Sequence, residues 1–200
     1  MSRQLTLPLL RPADPTLDNF VPGPNGELHQ RLRELAAGRG TEAVIYLWGA
    51  PGSGRSHLLA ACKRPGVAVA DDVHRLDEHG QAALFSAINQ ARDSGGTVLA
   101  AGDAPPARLA LREDVRTRLA WGLVYEVKPL SDEERAVYLR GEATRRGLRL
   151  SDDVVGYLLS HVRRDLRSLG VILEQLDRAS LAQHRPLTLP LVRETLKPPP

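Results

Sequence analysis

The run AVIYLW over residues 43–48 passes without a break into GAPGSGRS over residues 49–56. A continuous apolar run with β-branched and aromatic members fits a strand covered on both faces. The segment that follows fits the pattern G-x-x-x-x-G-[basic]-[S/T], through Gly49, Gly54, Arg55 and Ser56. A strand that enters such a loop and leaves as a helix is the context in which this pattern binds phosphate. Gly49, Gly52 and Gly54 let backbone N–H groups curl around phosphate oxygens, and the helix start at Ser56 and His57 adds partial positive charge. The Ser56 hydroxyl is placed for a magnesium ion. Arg55 stands where lysine is usual. Its planar guanidinium keeps the charge but is broader than an ammonium. It holds a phosphate more readily than it slides between the β- and γ-phosphates. The loop therefore predicts nucleotide binding, of ADP or ATP, ahead of rapid hydrolysis.

Further elements follow this start. VAVA (67–70) reads as a second buried strand ending at Asp71 and Asp72, TVLAAG (97–102) as a third and GLVYEV (122–127) as a fourth. Asp71 at a strand end can hold magnesium directly or through water. Asp72 stands where a longer glutamate often polarises water, and its shorter reach again argues for modest turnover. Read alone, the two acids would cap the next helix. Helices are expected over residues 27–37, with Leu28, Leu32 and Leu35 on one face, over 78–92 and over 108–119. Alternating strands and helices imply a parallel α/β sheet with right-handed crossovers.

After Pro129 the pattern becomes wholly helical. Ser131 and Glu134 form a capping box, Ser151 caps a second helix, and a third over 163–182 carries Leu166, Leu169, Ile172, Leu173, Leu176 and Ala179 on one stripe. A fourth begins near Thr188. The expected organisation is an extended leader over 1–16, an α/β nucleotide-binding unit over 17–129 and a helical lid over 130–197. Composition agrees with a globular chain: 42% hydrophobic and 26% charged residues over 200 positions. No apolar run reaches the length of a membrane span, and no secretory signal is visible. The lone Cys62 fits a reducing, cytoplasmic setting.

These motifs, in this order, resemble the AAA+ module of the DnaA branch, and within it the Hda family of regulatory inactivators of DnaA. The resemblance covers nearly the whole chain. LDNFVPG (17–23) resembles the segment beside the adenine, which makes Phe20 and Val21 base contacts. YLWGAPGSGRSHLL (46–59) resembles the Hda nucleotide loop, arginine included. AAGDAPP (100–106) resembles the sensor-1 segment, with Asp103 as its polar residue. RTRLAWGLVYEVKPLSDEE (116–134) resembles the stretch that carries an arginine finger, with Arg118 at the matching position. RRDLRSL (163–169) resembles the start of the sensor-2 helix, with Arg167 toward the nucleotide. Read alone, Arg116, Arg118 and Arg167 are surface charges on helices; the motif order gives Arg118 and Arg167 a role. Two departures stand out. About 15 residues separate Ser56 from Asp71. A full AAA+ domain fits another strand and helix there, so an edge strand and its helix are expected to be missing. DnaA also continues into a helix-turn-helix domain, and no such segment follows here, which argues against reading origin sequence.

The letters LTLPL occur twice, at residues 5–9 and 187–191. The first copy, preceded by Gln4, resembles the peptide by which bacterial replication proteins bind the sliding clamp, the beta subunit of DNA polymerase III. Gln4 offers hydrogen bonds, Leu5, Leu7 and Leu9 offer apolar side chains to a groove, and Pro8 pre-extends Leu7. In the second copy Pro186 replaces the glutamine. Thr188 there can cap a helix that tolerates Pro190 in its first turn, sending Leu191, Val192 and Leu196 into the lid core.

The resemblance implies a clamp-bound, ADP-bound regulator that presents Arg118 to ATP in a neighbouring DnaA, stimulates its hydrolysis and prevents re-initiation of the chromosome. Expected partners are the clamp, DnaA and a second copy of the chain as a homodimer; DNA is reached through the clamp, and no membrane is involved. Two rival readings are a self-sufficient ATPase, as in a loader or motor, and a nucleotide-stabilised adaptor without trans-activation.

Overall fold

The computed structural model describes residues 14–162, 165–183 and 185–196; of Arg167 it describes the backbone. Four parallel strands form one sheet: β1 (Val44–Trp48), β2 (Val67–Ala70), β3 (Thr97–Gly102) and β4 (Leu123–Glu126), in the order β2-β3-β1-β4. The apolar run that opens the sequence pattern becomes the central β1, paired on both sides, from Ile45 with Leu99 to Trp48 with Glu126. Side chains alternate across a strand, so β1 feeds two cores. Ile45 and Leu47 join Leu17, Leu28, Leu32, Leu35, Leu58 and Leu59 on one face. Val44 and Tyr46 join Leu84, Ile88, Val98, Val115 and Leu119 on the other.

The first face is covered by α1 (Gly26–Ala36) and α2 (Arg55–Ala61), the second by α3 (Glu78–Ser94) and α4 (Glu113–Leu119). Leu28, Leu32 and Leu35 of α1 are all buried, as their spacing predicts. Gly38 ends that helix at φ +78°, with Arg39 N–H bonded to the Glu34 carbonyl, the closure that a left-handed residue permits.

Two expectations need correction. β2 is not buried on both faces: Ala68 and Val69 are exposed, because among the described residues no strand lies outside it. The short return from α2 through Pro65 and Gly66 leaves no chain to build one, and the sheet is narrow, as the spacing between Ser56 and Asp71 implied. The helix expected over 108–119 begins only at Glu113. Residues 106–108 form a single 3-10 turn, and Arg112 stays extended while its N–H donates to Gln81 Oε1 at 2.9 Å. That tertiary bond overrides the local helical pattern.

The lid consists of α5 (Asp132–Arg145), α6 (Asp152–His161), α7 (Leu166–Gln183) and α8 (Leu189–Thr195). Both bonds of the Ser131–Glu134 capping box are formed, and Ser151 Oγ accepts from Val154 N–H. Leu139, Leu158, Leu169, Leu173, Leu176 and Val192 make a separate core. Each such leucine contributes about 1.5–3 kcal/mol by burial, so the lid has its own source of stability. The second LTLPL copy is the start of α8: Leu191 and Val192 are fully buried and Pro190 sits in the first turn. Thr188 occupies the cap position, but its hydroxyl makes no capping bond. The first copy, Gln4 to Leu9, lies outside the described residues. Asn25 ties the two parts together, accepting from Lys128 N–H at 2.8 Å and donating to the Lys128 carbonyl at 2.9 Å, where the chain passes from β4 to the lid.

Candidate functional site

All four strands run parallel, so their carboxyl ends open at one edge of the sheet, where open α/β folds bind ligands. The loop after β1 crosses that edge. Its glycines are demanded by what surrounds them. A Cβ on Gly49 would lie 2.4 Å from the Val127 carbonyl oxygen. Gly52 and Gly54 have φ of +79° and +103°, and a Cβ on either would meet Asp165 at 2.8 Å or Phe20 at 2.9 Å. Asp165 belongs to the lid, just before α7, and Phe20 precedes α1. The loop is thus bracketed by the lid and by the N-terminal segment. Within it, Ser53 Oγ is buried without a hydrogen-bond partner. A buried, unpaired hydroxyl in a glycine-rich loop fits a ligand with oxygen atoms.

Ser56 and His57 form the first turn of α2, and Ser56 is exposed. Arg55 does not reach outward. Its Nη1 donates to the carbonyl of Gly102 at the end of β3. Asp103 follows directly, half exposed, with His74 Nδ1 3.8 Å away. Tyr46, buried in β1, donates its hydroxyl to the Ala104 carbonyl at 2.7 Å. Burial first, and the charge of Asp103 second, raise the Tyr46 phenol well above its ordinary range. The loop arginine and the β1 tyrosine therefore fix the same turn after β3 from two sides.

Asp71 and Asp72 are both exposed at the end of β2. Asp71 Oδ1 accepts the Asp72 N–H at 2.8 Å. Asp72 has φ +47°, the one non-glycine residue with positive φ among the described residues. Aspartate tolerates this region better than most residues, at a cost of about 1 kcal/mol or more. Neither acid caps α3, a task taken by Asp77, whose side chain accepts the Gly80 N–H. Among the described residues no group of three or more His, Cys, Asp or Glu could hold a metal by itself. A nucleotide-bound magnesium needs less, one or two protein oxygens beside phosphates and water.

Phe20 covers the loop from the other side. It stacks on His29 at 5.8 Å between ring centroids and tilts against His57 at 5.6 Å. His29 Nε2 is hydrogen-bonded to the Leu17 carbonyl at 2.7 Å and His57 Nε2 to the Thr16 carbonyl at 2.9 Å. Two histidines thereby pin residues 16–20 across the nucleotide loop, with the half-buried Val21 next in the chain.

The structure thus gathers Phe20, Gly49, Gly52, Gly54, Arg55, Ser56, His57 and Asp103 around one loop, with Asp71 and Asp72 further out, at the end of the edge strand β2 beyond β3. Arg167 lies in the first turn of α7, two residues after Asp165; its side chain lies outside the described residues, as do Gln4, Leu5, Leu7, Pro8 and Leu9. Arg118 stands apart, at the end of α4, with Phe85 and Trp121 beside its guanidinium. Sequence reasoning missed Tyr46, His74, Phe85, Trp121 and Asp165. Tyr46 alone left a signal, as a hydroxyl inside an otherwise apolar strand.

Residues 132–196 match the family model of the Hda lid domain. The chain superposes on domain III of the replication initiation protein DnaA from Thermotoga maritima with a TM-score of 0.78. The match has 22% identity and covers 92% of this chain and 96% of that one. AMPPCP-bound DnaA from Aquifex aeolicus superposes with a TM-score of 0.67 at 21% identity, over 77% of this chain and 62% of that one. The RuvB Holliday junction branch migration motor of Thermotoga maritima gives 0.69 at 17% identity, over 94% and 72%. At these identities the superpositions establish the fold: a shortened AAA+ sheet followed by a helical lid.

Proposed function

We propose that this chain is a DnaA-related AAA+ protein that inactivates the initiator DnaA by stimulating hydrolysis of DnaA-bound ATP, a reading supported by the Hda-type lid match over residues 132–196 and the DnaA-like fold. Its own site holds an adenine nucleotide, ADP in the working state. Gly49, Gly52 and Gly54 cradle the phosphates, Arg55 supports that cradle by holding the loop to the end of β3, and Phe20 and Val21 lie beside the base. Ser56 and Asp71 hold the magnesium ion that neutralises phosphate charge. Asp72 and Asp103 line the phosphate end, His57 fixes the N-terminal segment against the loop, and Arg167 serves the nucleotide as the sensor-2 residue of the lid. The leader, through Gln4, Leu5, Leu7, Pro8 and Leu9, docks on the sliding clamp and brings the protein to DnaA on DNA.

One observation carries this reading. The Arg118 guanidinium has no hydrogen-bond or ion-pair partner among the described residues, and its Nε is buried unpaired. A guanidinium left with free donors is suited to an anion supplied by another molecule. In the proposed reaction a water attacks the γ-phosphorus of DnaA-bound ATP and the bond to the β-phosphate oxygen breaks. ADP stays on DnaA, inorganic phosphate leaves, and a proton is released to solvent. Arg118 supplies positive charge to the phosphoryl oxygens as that bond opens, an effect of about 10³–10⁵ in rate.

The test is hydrolysis of DnaA-bound ATP on clamp-loaded DNA. Wild type should accelerate it. Arg118→Ala should remove the acceleration while still binding the clamp, and Gln4→Ala/Leu5→Ala should lose clamp binding. Full acceleration by Arg118→Ala would leave only the adaptor reading standing. No acceleration by wild type would end the proposal.

A further inference from the structure

The chain has two phenylalanines and two tryptophans. One phenylalanine covers the nucleotide loop. The other, Phe85 of α3, and one tryptophan, Trp121 just past α4, are both placed against Arg118. The Arg118 Cζ lies 4.2 Å from the Phe85 ring centroid and 4.3 Å from that of Trp121. Both distances are well inside the range of a cation–π contact, for which tryptophan is the best ring. A guanidinium lying on ring faces keeps its N–H donors in its own plane, directed away from the rings. The contact thus fixes orientation without consuming donors.

Trp121 is itself held in place from below. A Cβ on the next residue, Gly122, would come within 1.9 Å of the Val44 carbonyl oxygen. Only glycine lets the chain pass so close to β1, and this passage sets where Trp121 stands. Trp121 is nevertheless 52% exposed, so its outer part faces solvent beside the arginine. Arg92 of α3 lies over the same ring at 5.4 Å and adds positive charge to the patch.

We propose that Phe85 and Trp121 are positioning residues that hold the Arg118 guanidinium oriented, with its donors free, for a phosphoryl group on a partner. This rests on the reading in which Arg118 acts in trans. Without the rings Arg118 keeps its charge but samples many rotamers, and the maximal stimulated rate falls while affinity for the partner does not.

The experiment uses the full chain with DnaA–ATP and clamp-loaded DNA, and compares wild type, Arg118→Ala, Phe85→Leu, Trp121→Leu and Trp121→Phe. Thermal unfolding confirms that each variant is folded. Each leucine variant should lower the maximal stimulated rate about five-fold, the scale of one such contact, at an unchanged half-saturating concentration. Trp121→Phe should restore the rate to within about two-fold, since a ring remains. The Arg118 Nε–H resonance in ¹⁵N-edited NMR should be ring-current shifted in wild type and Trp121→Phe, and should move toward the free-arginine value in both leucine variants. If Arg118→Ala abolishes stimulation and the leucine variants keep the full rate, the positioning role is overturned and the proposed function stands. A higher half-saturating concentration at full maximal rate would make Trp121 a partner contact, which also overturns it. An unchanged resonance in the leucine variants does the same. Stimulation that survives Arg118→Ala defeats the functional reading itself, and the positioning role with it.

Discussion

Arg55 and Arg118 are both partly buried, one at the start of α2 and one near the end of α4, and opposite chemistry holds them. Arg55 donates to a main-chain carbonyl, that of Gly102. Its charge is committed inside the molecule and locks the loop to the end of β3. The Arg118 side chain rests on two aromatic rings, and its guanidinium makes no polar bond among the described residues. A polar anchor satisfies a guanidinium, whereas an aromatic one only orients it. Under the proposed function this divides the work: one arginine secures the protein's own nucleotide loop, and the other is kept for a charge that arrives from outside.

The comparison breaks most sharply at Arg118 itself. Arg118→Ala should cost about 10³-fold or more in stimulated hydrolysis, read as phosphate release from DnaA–ATP. Next is the backbone beneath Trp121. Gly122→Ala forces a methyl group onto the Val44 carbonyl, and should destabilise the fold by roughly 3 kcal/mol or more in chemical denaturation. No flexible side chain can give way there. On the other arm, Arg55→Ala removes a charged hydrogen bond of about 1.5–3 kcal/mol. It should weaken nucleotide binding by about ten-fold in calorimetric titration, with a lower Tm.

The smallest effect at neutral pH belongs to Cys62. It is buried on the same face of the sheet as α1 and α2, and burial pushes its thiol up to about 11 from an ordinary 9.0. The folded state holds the proton more tightly than the unfolded chain does. The thiol's contribution to stability is therefore whole below pH 9 and is lost as pH rises through about 11. Denaturation midpoints should fall over that window, and Cys62→Ala should flatten the slope. Alkylation of the native thiol should be slow at pH 8.

How far the sequence foretold this depends on whether the deciding contact is local. The nucleotide loop was legible because strand, glycines and helix start are contiguous. The capping box at Ser131 and the stripe of α7 were legible for the same reason. β2 was misread because VAVA has the composition of a buried strand. Its exposure is set by a neighbour the chain does not build. The start of α4 was misread because Gln81, from another helix, holds Arg112 extended. The setting of Arg118 was hidden because Phe85, Trp121 and Val44 come from separate elements and meet only when the sheet closes. Resemblance pointed to Arg118; only the fold shows what orients it.

The most direct test asks which nucleotide is consumed. This protein would be loaded with ATP carrying one γ-phosphate label and DnaA with ATP carrying another, and both releases followed on clamp-loaded DNA. The account predicts fast release from DnaA that vanishes with Arg118→Ala, and slow release from this protein's own site throughout. Fast release from its own site, abolished by Ser56→Ala and indifferent to Arg118→Ala, would contradict it and mark the chain as a self-sufficient ATPase.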